Sequence, residues 1–83
     1  MMARAEVVWQ DHTGSPRVSL GKLEDLSDGG LCVRVRDEIY TGAKLIVRIP
    51  LGSFPGTVKQ CRRHGDEYVL GIQRDTAERP AGG

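Results

Sequence analysis

Apolar and polar residues alternate with a period of two along most of this chain. Ala3, Ala5, Val7 and Trp9 are interleaved with Arg4, Glu6, Val8 and Gln10, the pattern of a strand with one buried face. Asp11-His12-Thr13-Gly14-Ser15-Pro16 is dense in turn formers and ends that strand. A second strand is predicted from about Arg17 to Glu24, interrupted by Gly21, where a bulge or a close backbone approach is expected. Asp25-Leu26-Ser27-Asp28-Gly29-Gly30 reads as the next break. Leu31, Val33 and Val35 then alternate with Cys32, Arg34 and Arg36 in a third strand, followed by a loop over Asp37 to Gly42. Leu45, Val47 and Ile49 mark a fourth strand, ended by Pro50, and Leu51 to Gly56 reads as a turn. Val58 to Arg62 is a fifth strand, Arg63 to Asp66 a hairpin loop, and Tyr68 to Gln73 a sixth strand.

Six short strands separated by turn signals predict an all-β fold, either a closed barrel or a small sandwich. Closure is the expected solution, because a chain of 83 residues has too little material to cover two open sheet edges. Residues 1–74 form the predicted domain. Residues 75–83 carry no apolar stripe and are expected to be a disordered tail.

Composition narrows what such a domain can do. Twelve Lys and Arg against eleven Asp and Glu leave a formal charge of +1, too little for bulk binding to DNA, RNA or an anionic membrane. No apolar run reaches transmembrane length and the N-terminus has no signal-peptide stretch, so a cytoplasmic setting is expected, without membrane insertion. Cys32 and Cys61 read as two buried, reduced thiols rather than a disulfide. Neither they nor His12 and His64 have metal-ligand spacing, and no metal or cofactor is expected. Trp9 shares the phase of Ala5 and Val7, which makes it a core residue before it is a base-stacking one. No spacing points to a nucleophile and base pair, so a binding domain is expected rather than an enzyme.

The break between the second and third strands holds the most specific signal. Asp25-x-Ser27-x-x-Gly30 combines two side chains that bond nearby amides with a glycine pair that permits positive φ or close approach to a ligand. On these grounds alone Asp25 or Ser27 is expected to cap amides of the Gly29-Gly30 turn. In its setting, Lys22 to Val33, the motif resembles the Asp-x-Ser-x-x-Gly signature of PilZ domains. Thr41-Gly42 before the Leu45, Val47, Ile49 strand, Gly56-Thr57-Val58-Lys59, and Leu70-Gly71-Ile72-Gln73 are similar to later segments of the same family. The likeness runs from about Arg4 to Gln73.

That resemblance implies a six-stranded antiparallel barrel serving bacterial signal transduction through cyclic di-GMP, a second messenger with two guanines and two phosphates. It implies that Asp25 and Ser27 hydrogen-bond a guanine edge while Gly29 and Gly30 let the ligand lie close to the backbone. The chain departs from the family in two respects. Its Arg-x-x-x-Arg signature before the first strand is missing, Arg4 being the only arginine before the first turn, with Val8 four places on. The family's C-terminal helix is likewise not expected. Arg4 is therefore the candidate to supply part of the lost charge, and weak ligand binding is expected. The alternative is a degenerate adaptor that keeps the barrel and works through contacts with an unidentified protein partner. Arg34, Arg36, Arg48, Lys59 and Arg62 fall on the faces opposite the inferred core, either as a solvated surface or as the wall of a groove.

Overall fold

The structure is a computed structural model that describes residues 3–75. Six antiparallel strands, β1 (Ala3–Gln10), β2 (Pro16–Leu26), β3 (Gly30–Val35), β4 (Lys44–Ile49), β5 (Gly52–His64) and β6 (Glu67–Arg74), close into a barrel in the order β1-β2-β3-β6-β5-β4. Two three-stranded meanders are thus joined twice, by β3 pairing with β6 and by β1 pairing with β4. No helix occurs among the described residues, hence none long and apolar enough to cross a membrane.

The period-two pattern explains the interior. Ala5, Val7 and Trp9 of β1, Leu31, Val33 and Val35 of β3, Leu45 and Val47 of β4, and Leu70 and Ile72 of β6 all point inward and are buried. Trp9 is a core residue, as its phase requires, and its indole N–H donates to Ser19 Oγ at 3.0 Å. Ser19 in turn donates to Asp37 Oδ2 at 2.5 Å. This buried chain pins the β3–β4 loop onto the barrel. The loop also drives Ile39 and Ala43 into the core, a contribution its polar sequence conceals.

The predicted boundaries need three corrections. β2 runs on to Leu26, so Asp25 projects from a strand and only Ser27 to Gly30 turn. The break in β2 is a bulge between Leu23 and Asp25, not at Gly21. Gly21 marks the close approach instead: a Cβ there would lie 2.0 Å from the Arg34 carbonyl oxygen. Thirdly, the stretch read as a turn from Leu51 to Gly56 is mostly the first half of β5. That half pairs with β4, Pro55 facing Ile46, before the strand passes to β6. Pro55 is tolerated because its missing N–H points to the side where no ladder partner yet stands. Its carbonyl on that side accepts from the Asp75 amide at 2.9 Å.

The β5–β6 loop shortens to the two residues Gly65-Asp66, with Gly65 at φ 70°. A positive φ at the first loop position alone is the two-residue hairpin whose twist matches the strands. Asp75, expected in the tail, is held: its carboxylate accepts from Thr57 Oγ1 at 3.1 Å and from Lys44 Nζ at 3.3 Å. The rest of the predicted tail, residues 76–83, lies outside the described residues.

Candidate functional site

Register builds a row of side chains across four strands on the outer wall of the barrel. Asp25 of β2 faces Cys32 of β3, which faces Gly71 of β6, which faces Gln60 of β5. One step along, Gly30 faces Gln73. These residues, with Ser27 and Lys59, rim an open depression of about 350 Å³.

Its floor is the outer face of β3 and β6, where Gly30 and Gly71 flank Cys32. Gly30 and Gly71 add no side chain there, and since the Gln60 side chain lies over Gly71, it is at Gly30 that a flat group could lie closest to the sheet. The fold needs Gly30 as well and leaves little room at Gly71. A Cβ on Gly30 would come within 2.5 Å of the Ile72 carbonyl oxygen, and one on Gly71 within 3.0 Å of Gln60 Cγ. Neither Gly29 nor Gly30 has a positive φ, so close approach is the reason for Gly30. A Cβ on Gly29 would meet open space, and this residue serves by its carbonyl, which accepts from the Arg74 amide at 3.1 Å.

Two bulges frame the depression. Glu24 is the extra residue in β2 and Lys59 the extra residue in β5. Such insertions re-aim the side chains around them. Glu24 turns to Arg34, whose Nε donates to it at 2.6 Å, while Lys59 is left exposed on the rim. Arg34 is further satisfied by Glu67 at 3.7 Å and His64 Nδ1 at 3.1 Å.

The polar groups on the rim are not consumed by the turn. Asp25 Oδ1 accepts only from the neighbouring Leu26 amide, at 3.0 Å, and no described residue bonds Oδ2. The Ser27 amide donates to the Gly30 carbonyl at 2.9 Å, and its hydroxyl makes a long contact of 3.4 Å to the same oxygen. The expected capping of the Gly29-Gly30 amides by Asp25 or Ser27 is therefore wrong. Asp25 sits at the end of the preceding strand, where its carboxylate bonds the Leu26 amide and none of the turn's amides. Burial, and then the carboxylates of Glu24 and Asp25, push the Cys32 thiol up from its ordinary value. Both cysteines are free and only half-buried: Cys32 faces the depression, whereas Cys61 packs inward against the core.

Of the residues singled out from sequence, Asp25, Ser27 and Gly30 line the depression together, and Gly29 and Arg4 do not join them. Arg4 stands opposite Lys22, three residues before Asp25 and on the far side of the Glu24 bulge. It opens instead onto a separate groove shared with Glu6, Lys22, Arg36 and Glu67. Gln60 and Gln73, which carried no signal in the sequence, are on the rim because they pair with the two floor glycines. Arg74 was also missed. Its guanidinium lies 4.8 Å from the Phe54 ring centre, and its Nη1 donates to the Ser27 carbonyl at 3.3 Å, bracing the turn from behind.

No curated protein matches the chain. The family model described as the PilZ domain, however, matches residues 4–80, a span that includes the whole depression and every strand of the barrel except for the first residue of β1, Ala3. Together with the closed six-stranded barrel and the Asp25-x-Ser27-x-x-Gly30 segment at the edge of the depression, that match assigns the chain to the PilZ family.

Proposed function

We propose that the domain is a non-catalytic cytoplasmic regulatory module that takes cyclic di-GMP into the depression on the β2-β3-β6-β5 wall. The observation that carries this reading is the exposed Asp25 carboxylate standing beside a floor made of Gly30 and Gly71. A guanine laid on that floor presents N–H groups that Asp25 Oδ2 can accept, and Ser27 Oγ is within the same rim. Selectivity follows from the same group, since a base without those donors leaves the carboxylate unpaired.

Affinity is expected to be low. A dianionic ligand held without two arginine contacts forfeits roughly 1.5–3 kcal/mol for each. Together these losses weaken binding by about two to four decades, which takes a micromolar site to a constant of roughly 0.1 mM or weaker. Titrating the isotopically labelled chain with cyclic di-GMP should move the amides of Asp25 to Gly30 and of Gly71, and leave Arg4 still. Asp25→Ala should abolish those shifts, and grafting an Arg-x-x-x-Arg segment before β1 should tighten binding at least about tenfold. A spectrum unmoved at millimolar ligand, with or without the graft, sinks this reading.

One feature favours the adaptor as a second reading. Val18, Val8 and Ile46 form a cross-strand apolar row on the opposite wall, and Val18 and Ile46 are exposed, as is Leu20 beside them. A protein partner contacting that wall would need no nucleotide. Val18→Asp should then abolish partner binding in the absence of cyclic di-GMP, and undiminished binding counts against it.

A further inference from the structure

We propose that Lys59 is the phosphate-contacting residue of the depression, so that a guanine nucleotide lies across the strands with its base at Asp25 and its phosphate at the β5 end. This inference rests on the nucleotide-binding reading above and adds an orientation to it.

Three observations carry it. Lys59 is the extra residue of the β5 bulge and lies exposed on the rim of the depression. Among the described residues it makes no ion pair, whereas Arg34, the cation on β3 nearest the row, is already bound to Glu24 at 2.6 Å and Glu67 at 3.7 Å. Lastly, the charges on the rim are divided. Asp25 stands on β2 and would repel a phosphate, while Lys59 stands three ladders away on β5. Three interstrand spacings amount to about 14 Å, and the four-carbon lysine stem can reach back over part of that distance. A nucleotide is itself divided in the same sense, with hydrogen-bond donors on the guanine edge and negative charge at the phosphate. Gln73, on β6 between the two ends, and Gln60, beside Lys59 on β5, offer neutral amides to the sugar.

The orientation is tested with three probes that differ in phosphate: guanosine, guanosine monophosphate and cyclic di-GMP, each titrated by amide shifts. Lys59→Ala should weaken both phosphate-bearing ligands at least about tenfold, the lower end for a hydrogen bond to a charged group. Guanosine binding should be unchanged. Lys59→Arg should restore the loss, and Arg48→Ala, on the far wall beside Glu6, should have no effect. Circular dichroism of each variant verifies that the barrel is intact. If Lys59→Ala binds guanosine monophosphate as the parent does, or loses guanosine to the same extent, the proposal is overturned while the site survives. If the parent responds to none of the three probes, the nucleotide reading itself fails, and the assignment of Lys59 with it.

Discussion

At the residue scale, Asp25 and Gly30 make opposite demands although they share one motif. Asp25 is exposed and bonds only its neighbour's amide, so Asp25→Ala is expected to change stability by less than about 0.5 kcal/mol, as surface substitutions usually do. Gly30→Ala must push β3 off the Ile72 carbonyl and is expected to lower the denaturation midpoint far more. Urea unfolding of the two variants checks this, and equal losses would show that Asp25 serves the fold. Asp11 gives a third residue-level test. Bonds from the Thr13 hydroxyl, the Ser15 and Thr13 amides and the Arg17 guanidinium hold its carboxyl down to about 2. Because its folded value is depressed, its stabilising contribution is complete above the unfolded carboxylate range near 3.8 and is lost as pH falls toward 2. Carbon-detected titration should find its midpoint well below 3.8. A midpoint near 4 would show that the β1–β2 turn does not hold it.

At the element scale, what could be read from sequence depended on whether a local rule was left to act alone. β1, β3, β4 and β6 were legible within a residue or two, because their alternation records burial on one barrel face. β5 was not, since Gly52, Pro55 and Gly56 read locally as a turn. Tertiary geometry sets that segment: a Cβ on Gly56 would lie 2.5 Å from Ile72 Cγ2, so glycine is required by a neighbouring strand. The site divided in the same way. Asp25, Ser27 and Gly30 are contiguous and could be read together, whereas Gln60, Gln73 and Lys59 come to them through pairing and a bulge that no local pattern encodes. The β3–β4 loop offers the element-level test. Ser19→Ala leaves the buried Trp9 N–H without its acceptor and frees Asp37, at a cost of about 1–3 kcal/mol. Fluorescence of Trp9, the only tryptophan, reports the change directly. An unaltered midpoint and emission would show that the loop is held by buried Ile39 and Ala43 and its backbone bonds to Val58, without the Ser19 chain.

For the molecule as a whole, closure requires β1 to find β4 and β3 to find β6, pairings that are remote in sequence. Each closes a large loop before any contact repays the lost entropy. Refolding is therefore expected over milliseconds to seconds, and stopped-flow Trp9 fluorescence should resolve it. Completion within microseconds would contradict the barrel order. The same topology ties function to stability, since the depression spans β2, β3, β6 and β5 and so exists only when both meanders have joined.

The two bulges have a consequence for how this wall can change by insertion and deletion. Val58 faces Ile72 and Gln60 faces Gly71, just as Leu23 faces Val33 and Asp25 faces Cys32. Removing Lys59 or Glu24 would therefore close each ladder into an uninterrupted one without moving any other side chain to the opposite face. A chain lacking Lys59 should still give a strand-dominated spectrum and unfold cooperatively; collapse of that cooperativity would mean the barrel needs the bulge for its curvature. If the deletion is tolerated, these two positions are optional to the architecture. A lineage could then gain or shed a charge at either side of the floor by a single codon, altering what the wall recognises while the scaffold beneath it is inherited unchanged.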